Sequence, residues 1–123
     1  MIIEPKVVKK GWGEEIWIHN DEEYCGKLLR FFKRGNQFSL HYHVIKKESW
    51  YVGKGSFQYI WIDPEKAVEK STIVKEGDCI TIERGMAHQL VALEDMSEIF
   101  EVSTEHFDED SYRIRLGNTL CGS

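Results

Sequence analysis

The stretch SLHYHVIKKESW, residues 39–50, places two histidines two positions apart and a glutamate five positions after the second one. Alternate side chains of a β-strand share one face, so His41 and His43 are expected to point to the same side of a sheet. A turn over residues 44–47 then brings Glu48 back beside them. Two imidazoles and a carboxylate are a typical ligand set for a divalent transition metal, so this hairpin is a candidate metal site.

Polar and aromatic neighbours extend this candidate site. Gln37 and Ser39 fall on the same predicted face as the histidine pair, and Trp50 shares a face with Glu48 in the next predicted strand. We therefore take Gln37, Ser39 and Trp50 as candidates for contact with a bound small molecule. For Trp50 the alternative is a place in the hydrophobic core, where a large aromatic residue is usually found.

The whole chain has the pattern of a β protein. Alternating residues rich in Ile, Val, Phe, Tyr and Trp predict strands, and Gly, Pro, Asn and Asp mark the turns between them. The Asp63-Pro64 pair predicts one short helix at 64–69. Many short strands with almost no helix are typical of an antiparallel sandwich or barrel, so the fold class is all-β. The predicted strands are 6–9, 14–19, 24–33, 37–43, 48–53, 56–62, 71–75, 78–83, 86–93 and 97–103.

Composition excludes several classes of partner. The 123 residues carry a formal charge of -5 at pH 7, whereas nucleic acids and anionic membranes favour a basic surface. The first residues lack the apolar stretch of a signal peptide, and no window approaches the ~18 apolar residues of a membrane span. We expect a cytoplasmic protein that binds neither nucleic acid nor membrane.

The cysteines fit a reducing compartment. Cys25, Cys79 and Cys121 are odd in number and widely spaced, and they form no CxxC pair. Free thiols are therefore expected rather than a disulfide framework. Cys25 and Cys79 are expected to be buried as small apolar residues.

A longer pattern surrounds the histidine pair. It begins at Gly35, reaches His41, His43 and Glu48 after gaps of five, one and four residues, and ends at Gly55 after six more. In this pattern the sequence resembles the first motif of the cupin superfamily, with every fixed position and every gap in place.

The segment GDCITIERGMAHQLVA, residues 77–92, resembles the second cupin motif. Its glycines and His88 keep the spacing of that motif, while Glu83 replaces the usual proline and Ala92 the usual asparagine. The resemblance implies that residues 1–123 form one cupin domain, a double-stranded β-helix or jelly roll. It also implies a metal ion held by His41, His43, Glu48 and His88. Zn, Mn, Fe, Co or Ni would suit neutral imidazoles with one carboxylate, leaving positions open for substrate or water.

A narrower resemblance concerns the residues around this site. Type II mannose-6-phosphate isomerases show Glu-x-Trp after the histidine pair, then a Glu-Val strand and an acidic segment ending in Arg. This chain has Glu48-Ser49-Trp50, Glu101-Val102 and the segment 108–113 in those places. It departs from the isomerases at Ser103-Thr104-Glu105, where they usually have Gln and Gly. The resemblance implies a metal-dependent aldose–ketose isomerase that acts on a sugar phosphate.

Such an isomerase needs a metal that polarises the carbonyl and a base that moves a proton between neighbouring carbons. Glu101 is the candidate base, because strand alternation places it opposite Phe100 and Val102. The alternative for Glu101 is a solvated or ion-paired strand residue. Lys46 and Arg113 are candidates for binding the phosphate, although a lysine in a turn is often only solvated.

Two other functions fit the same residues. Two histidines and a carboxylate also form the facial triad of a non-haem iron dioxygenase. A non-catalytic carbohydrate- or effector-binding module would use the site only to bind. His19 and His106 belong to no such set and are expected to take no part in metal binding. Edge strands of a sandwich need covering, so a homodimer is expected in which residues 1–8 add a strand to the partner.

Overall fold

Two antiparallel sheets make up the structure, a computed structural model that describes residues 1–118. Within these residues a 3₁₀ turn, Asp108–Asp110, interrupts the otherwise all-β chain. None of the described residues lies in a helix that could cross a lipid bilayer. The strands are β1 (Lys6–Lys10), β2 (Gly13–Asn20), β3 (Cys25–Phe31), β4 (Leu40–Tyr42), β5 (Glu48–Lys54), β6 (Ser56–Asp63), β7 (Val68–Lys75), β8 (Cys79–Ile82), β9 (His88–Ala92), β10 (Ser97–Ser103) and β11 (Tyr112–Arg115).

The order of the strands is that of a jelly roll. One sheet runs β1-β2-β3-β10-β5-β8 and the other runs β11-β4-β9-β6-β7. Strands distant in the sequence are neighbours in space, as in the pairs β3–β10 and β4–β9. The predicted all-β fold class, an antiparallel jelly-roll sandwich, is confirmed.

Aromatic side chains fill the space between the sheets. Trp12 stacks on Phe31 with ring centroids 4.6 Å apart, and Phe31 meets Phe57 edge to face at 5.0 Å. Burial of such side chains is the main favourable term for folding, at about 25 cal/mol per Å² of apolar surface. At one end of this core the ring of Trp50 packs against the ring of His88, with centroids 5.3 Å apart. The hydrophobic core therefore forms the floor on which the polar site is built.

The inner face of the larger sheet carries polar residues in one row. The register aligns one side chain from each of five neighbouring strands, which are β1, β2, β3, β10 and β5. Because residues in register on one face are immediate neighbours, these side chains contact one another. The row consists of Lys6, Trp17, Lys27, Glu101 and Trp50.

The outer face of the same sheet carries an apolar row instead. Six residues are in register across all six strands, and Phe100 and Tyr51 at its centre are 38% and 47% exposed. We call this set the outer apolar row: Val7, Ile16, Leu28, Phe100, Tyr51 and Cys79. Its neighbours on one side are charged residues that form ion pairs, such as Lys9 with Glu14 at 2.8 Å.

The helix predicted at 64–69 is wrong. The Asp63 carboxylate accepts hydrogen bonds from the backbone N–H groups of Glu65 and Lys66, which forms a tight turn. Ala67 then takes a left-handed conformation with φ 52°, and the chain reverses into β7 at Val68. The same Asp-Pro signal that starts a helix also starts a turn, and here the pairing of β6 with β7 selects the turn.

Two further expectations need correction. Cys25 is buried as predicted, but Cys79 is exposed because it lies on the outward side of β8, opposite Tyr51. Cys121 lies outside the described residues. The strand predicted at 37–43 is only three residues long as β4, and β11, which pairs with it, was not predicted at all.

Gly55 offers a test of this backbone, because it has φ 72° and a Cβ there would overlap the hydroxyl of Ser97. Gly77 has φ 91°, but no atom lies within 4 Å of the corresponding Cβ position. We expect Gly77→Ala to lower the free energy of unfolding by about 1–2 kcal/mol, the cost of the left-handed conformation alone. Gly55→Ala is expected to lower the free energy of unfolding by more than Gly77→Ala does, because its Cβ would also overlap Ser97. Urea denaturation measures both values. Equal losses in the two variants would contradict the described packing.

Candidate metal centre

Strand pairing brings the three motif histidines together. His41 in β4 lies directly opposite His88 in β9, and the two rings are 4.6 Å apart between centroids. His43 follows immediately after β4. The three histidines each offer a ring nitrogen, and these nitrogens all lie within 4.8 Å of one another. The group could therefore hold a metal ion.

Backbone carbonyl groups fix how each imidazole points. The Nδ1 atoms of His41, His43 and His88 lie 2.7, 2.7 and 2.9 Å from the carbonyl oxygens of Ser39, Asp110 and Met86. A carbonyl oxygen only accepts, so each Nδ1 carries the ring proton and donates it. Each Nε2 is then left with a free lone pair. This is the arrangement in which the hydrogen bond of one ring nitrogen prepares the other to bind a metal.

The Glu48 carboxylate completes a set of inward-facing acceptors. Its Oε2 atom lies 3.4 Å from Nε2 of His43 and 3.8 Å from Nε2 of His88. Glu48 Oε2 and His88 Nε2 are both buried and have no hydrogen-bond partner within the described residues. A buried polar atom without a partner costs about 1–3 kcal/mol. Imidazole nitrogens and a carboxyl group that face one another in this way can share a cation, so these residues fit a divalent transition metal.

Burial controls the charge of these groups in the metal-free protein. It lowers the pKa of His88 to about 3 and the pKa values of His41 and His43 below their usual range, so all three imidazoles stay neutral near pH 7. Burial raises the pKa of Glu48 to about 8; the positive charge of Lys46 opposes this shift and the carboxylate of Glu101 reinforces it. A bound cation would favour the ionised form of Glu48.

Lys46 and Glu101 form a buried ion pair next to Glu48. The Lys46 Nζ atom lies 2.7 Å from Glu101 Oε2 and 4.0 Å from Glu48 Oε2. Trp50 donates its indole N–H to the other oxygen of Glu101 at 3.2 Å. Burial disfavours both charges, but the charge of Glu101 raises the pKa of Lys46 and the charges of Lys46 and Lys27 lower that of Glu101. Lys46 is therefore a buried cation and not the solvated turn lysine of the alternative interpretation.

A cavity of about 610 Å³ opens above these residues. Of the predicted small-molecule contacts, Ser39, Trp50, Lys46 and Arg113 line it, and so does the candidate base Glu101. Gln37 is not among the lining residues; it lies before β4 and bridges to Val91. Trp50 packs in the core, as in its alternative interpretation, and it also lines the cavity, so its contact with a bound small molecule stays a prediction.

His106 also faces the cavity, although sequence analysis gave it no role. It bonds the Asp108 carboxylate through Nε2 at 2.9 Å, and its Nδ1 lies 3.4 Å from Lys46 Nζ. Burial lowers the pKa of His106 to about 4. Its ring is not part of the three-histidine group, since its centroid lies 6.3 Å from that of His43. A lone histidine in an acidic segment gave no spacing signal for this placement.

Asp110 was likewise missed and holds the loop that carries the ligands. Its carboxylate accepts hydrogen bonds from the backbone N–H groups of Val44, Ile45 and Lys46, at 2.9, 3.1 and 3.0 Å. Burial works against its ionisation, but these N–H groups outweigh it and lower the pKa of Asp110. Its backbone carbonyl is the group that orients His43. Asp110, the last residue of the 3₁₀ turn, therefore fixes both the 44–46 loop and the candidate ligand His43.

Known structures share this architecture. Oxalate decarboxylase from Bacillus subtilis superposes with a TM-score of 0.79 at 22% identity, over 89% of this chain and 30% of its own. CapF, a capsular polysaccharide assembling protein from Staphylococcus aureus, gives 0.78 at 16% identity, over 94% of this chain and 34% of its own. KdgF from Halomonas sp. gives 0.67 at 19% identity, over 78% and 81%. The chain thus spans about a third of the length of the first two proteins.

These identities support a common fold and nothing narrower. None of the three proteins is a mannose-6-phosphate isomerase, so the narrower resemblance gains no support from them. No curated protein sequence matches the chain. The family model described as Cupin matches residues 25–114, which include both motifs and all three histidines of the site. The chain therefore belongs to the cupin family.

Proposed function

We propose that the chain is a metal-dependent enzyme that interconverts an aldose and a ketose phosphate, with His41, His43, Glu48 and His88 as the metal ligands. The observation that carries the proposal is the set of buried acceptor atoms at the base of the cavity, with the ion pair of Lys46 and Glu101 beside it. A divalent ion there would supply Lewis-acid polarisation of a substrate carbonyl.

The residues next to the proposed ligands suit proton transfer. Glu101 is the proposed base. The charges of Lys46 and Lys27 outweigh burial and lower its pKa, which keeps the carboxylate ionised but also makes it a weaker base. The Lys46 ammonium can stabilise negative charge that develops on a substrate oxygen, since it is buried and held 2.7 Å from Glu101. The indole of Trp50 fixes the other oxygen of Glu101.

The charge of the cavity supports an anionic substrate. Lining residues include five cationic side chains and four acidic ones, and a divalent ion would raise this excess of positive charge to three. The cationic residues are Lys6, Lys10, Lys27, Lys46 and Arg113. Aromatic residues such as Trp12 and Trp17 line the same space and can pack on the apolar face of a sugar ring.

Metal content tests the ligand set directly. Replacing His43 or His88 with Ala is expected to lower metal occupancy at least ~10-fold, because even residues that only orient ligands have effects of that size. Occupancy is measured by elemental analysis after dialysis against each metal. His19→Ala serves as the matched control, since His19 contacts Asp21 away from the group. Unchanged metal occupancy in both His43→Ala and His88→Ala would contradict the assignment of these residues as metal ligands.

Exchange with solvent deuterium tests the reaction. We expect the protein loaded with Mn, Fe, Co, Ni or Zn to exchange a proton at carbon 1 or 2 of mannose 6-phosphate or fructose 6-phosphate, as followed by proton NMR. Chelated protein and His43→Ala are expected to show only background exchange. Glu101→Gln is expected to slow the exchange about 100-fold, a typical contribution of a general base.

The same experiment separates the rival functions. Exchange that proceeds without oxygen argues against a non-haem iron dioxygenase, whereas oxygen uptake with no exchange would favour it. Tight binding of a sugar phosphate with no exchange under any of the five metals would favour a binding module. Either of these two results would overturn the isomerase proposal.

We also propose that two copies of the chain associate through the outer face of the larger sheet. The outer apolar row crosses six strands, a length of about 24 Å at ~4.8 Å per strand. It ends at β1, an edge strand preceded by the exposed residues Met1, Ile2 and Ile3. Exposed apolar surface of this extent is typical of protein interfaces. The expected partner strand from residues 1–8 would extend the same contact.

Sedimentation at tens of micromolar tests this association. We expect a dimer, and we expect Phe100→Lys to convert it to a monomer because the charge would be buried at the centre of the contact. Ile73→Lys is the matched control, since Ile73 is an exposed residue of β7 in the other sheet. A monomeric wild type would contradict the proposal, and so would a dimer that Phe100→Lys leaves intact.

A further inference from the structure

We infer that the wall formed by β1, β2 and β3 contains a second subsite, in which Lys6 and Lys27 on the two sides of Trp17 bind a phosphate group of the substrate. The inference deepens the proposed function and rests on it for the identity of the sugar. It places the anionic end of the ligand on this wall of the sheet and not on the Lys46-Lys47 turn.

Register places these three side chains in line. Lys6 pairs with Trp17, and Trp17 pairs with Lys27, so the two lysines flank one indole on the inner face. The Lys6 and Lys27 Nζ atoms lie 4.6 and 4.1 Å from the centre of the Trp17 ring. Contact with the face of an indole stabilises an ammonium group and holds it in place. All three residues line the cavity.

Lys27 is a buried residue of this wall and not a surface lysine. It is 2% exposed, and its nearest carboxylate oxygen is Glu15 Oε1 at 3.3 Å. That same oxygen also accepts the indole N–H of Trp17 at 2.8 Å, so its charge is shared between two donors. A buried ammonium with one long ion pair retains N–H groups for a further acceptor. A phosphate oxygen in the cavity would provide that acceptor.

Lys46, by contrast, is already engaged in a short ion pair. Its ammonium is held 2.7 Å from Glu101 and its charge is needed next to Glu48. Lys6 has no carboxylate partner among the ion pairs of the described residues, so its charge remains available to a ligand. The β1 to β3 wall carries the cationic residues Lys6, Lys10 and Lys27 and one carboxylate, Glu15, so its net charge is positive. Of the three cationic residues, Lys6 and Lys27 contact Trp17.

The separation between the two subsites suits a sugar phosphate. In the sheet, β10 lies between β3 and β5, so Lys27 is two strands away from the strand that begins with Glu48. Two strand spacings are about 10 Å. An extended hexose with its phosphate at one end and its carbonyl at the other can bridge this distance.

Binding of inorganic phosphate to the chelated protein tests the subsite without any metal or turnover. We expect titration calorimetry to detect binding in the wild type and expect Lys6→Ala to weaken it about 10-fold, the size of one charge-assisted hydrogen bond. Lys27→Met, which keeps the apolar stem against Trp17, is expected to weaken it by at least as much. Lys9→Ala is the matched control, because Lys9 belongs to the same strand but is 68% exposed and pairs with Glu14 on the outer face.

The outcomes separate this inference from the isomerase proposal. Phosphate binding that depends on Lys6 and Lys27 supports the subsite even if no deuterium exchange is found. No binding up to about 10 mM phosphate, or an affinity that Lys6→Ala leaves unchanged, would overturn it even if exchange is observed. If Lys27→Met fails to fold, the comparison of phosphate affinity between Lys6→Ala and Lys9→Ala still tests the inference. Tighter binding of acetate than of phosphate would also overturn the phosphate assignment.

Discussion

Three backbone carbonyl groups determine what the centre of this protein can do. By accepting the Nδ1 protons of His41, His43 and His88, they turn three lone pairs toward one point. The carbonyls belong to Ser39, Asp110 and Met86, which lie in three separate parts of the chain. Ser39 and Met86 lie two residues before the histidines that they orient, whereas Asp110 lies 67 residues after His43. The orientation of His43 therefore depends on correct packing of distant parts of the chain. Burial then keeps the rings neutral, which is the state in which imidazole binds a metal.

Much of the fold and the centre could be predicted because the information is local. Alternation in the strands predicts which side chains share a face. The hairpin predicted for residues 37–53 is wrong, because β4 and β5 lie in opposite sheets and do not pair. The connection between them still brings Glu48 Oε2 within 3.4 Å of His43 Nε2. His88 was expected at the site only through the resemblance of the second motif, and the structure places it opposite His41. The Asp63-Pro64 signal failed because it is shared by helices and turns, and only the pairing of β6 with β7 decides between them.

What could not be predicted depends on contacts between distant residues. The burial of Lys46 arises from Glu101, 55 residues later, and the placement of His106 arises from the same cluster. Lys27 has an ordinary sequence context, and only its register with Trp17 places it in the wall of the cavity. In each case the charge of a side chain is set by neighbours that no local pattern identifies. The wall of the cavity is therefore less predictable than the ligands at its base.

Asp110 has a consequence for the order in which the chain can acquire its centre. Its carboxylate and its carbonyl both reach back to residues 43–46, across more than 60 positions of sequence. Contacts of such long separation form late in folding, because loop closure must come first. A nascent chain that has emerged only through β10 would carry every candidate ligand but would lack the group that aims His43. The full orientation of the three imidazoles therefore requires the 3₁₀ turn Asp108–Asp110 to be in place.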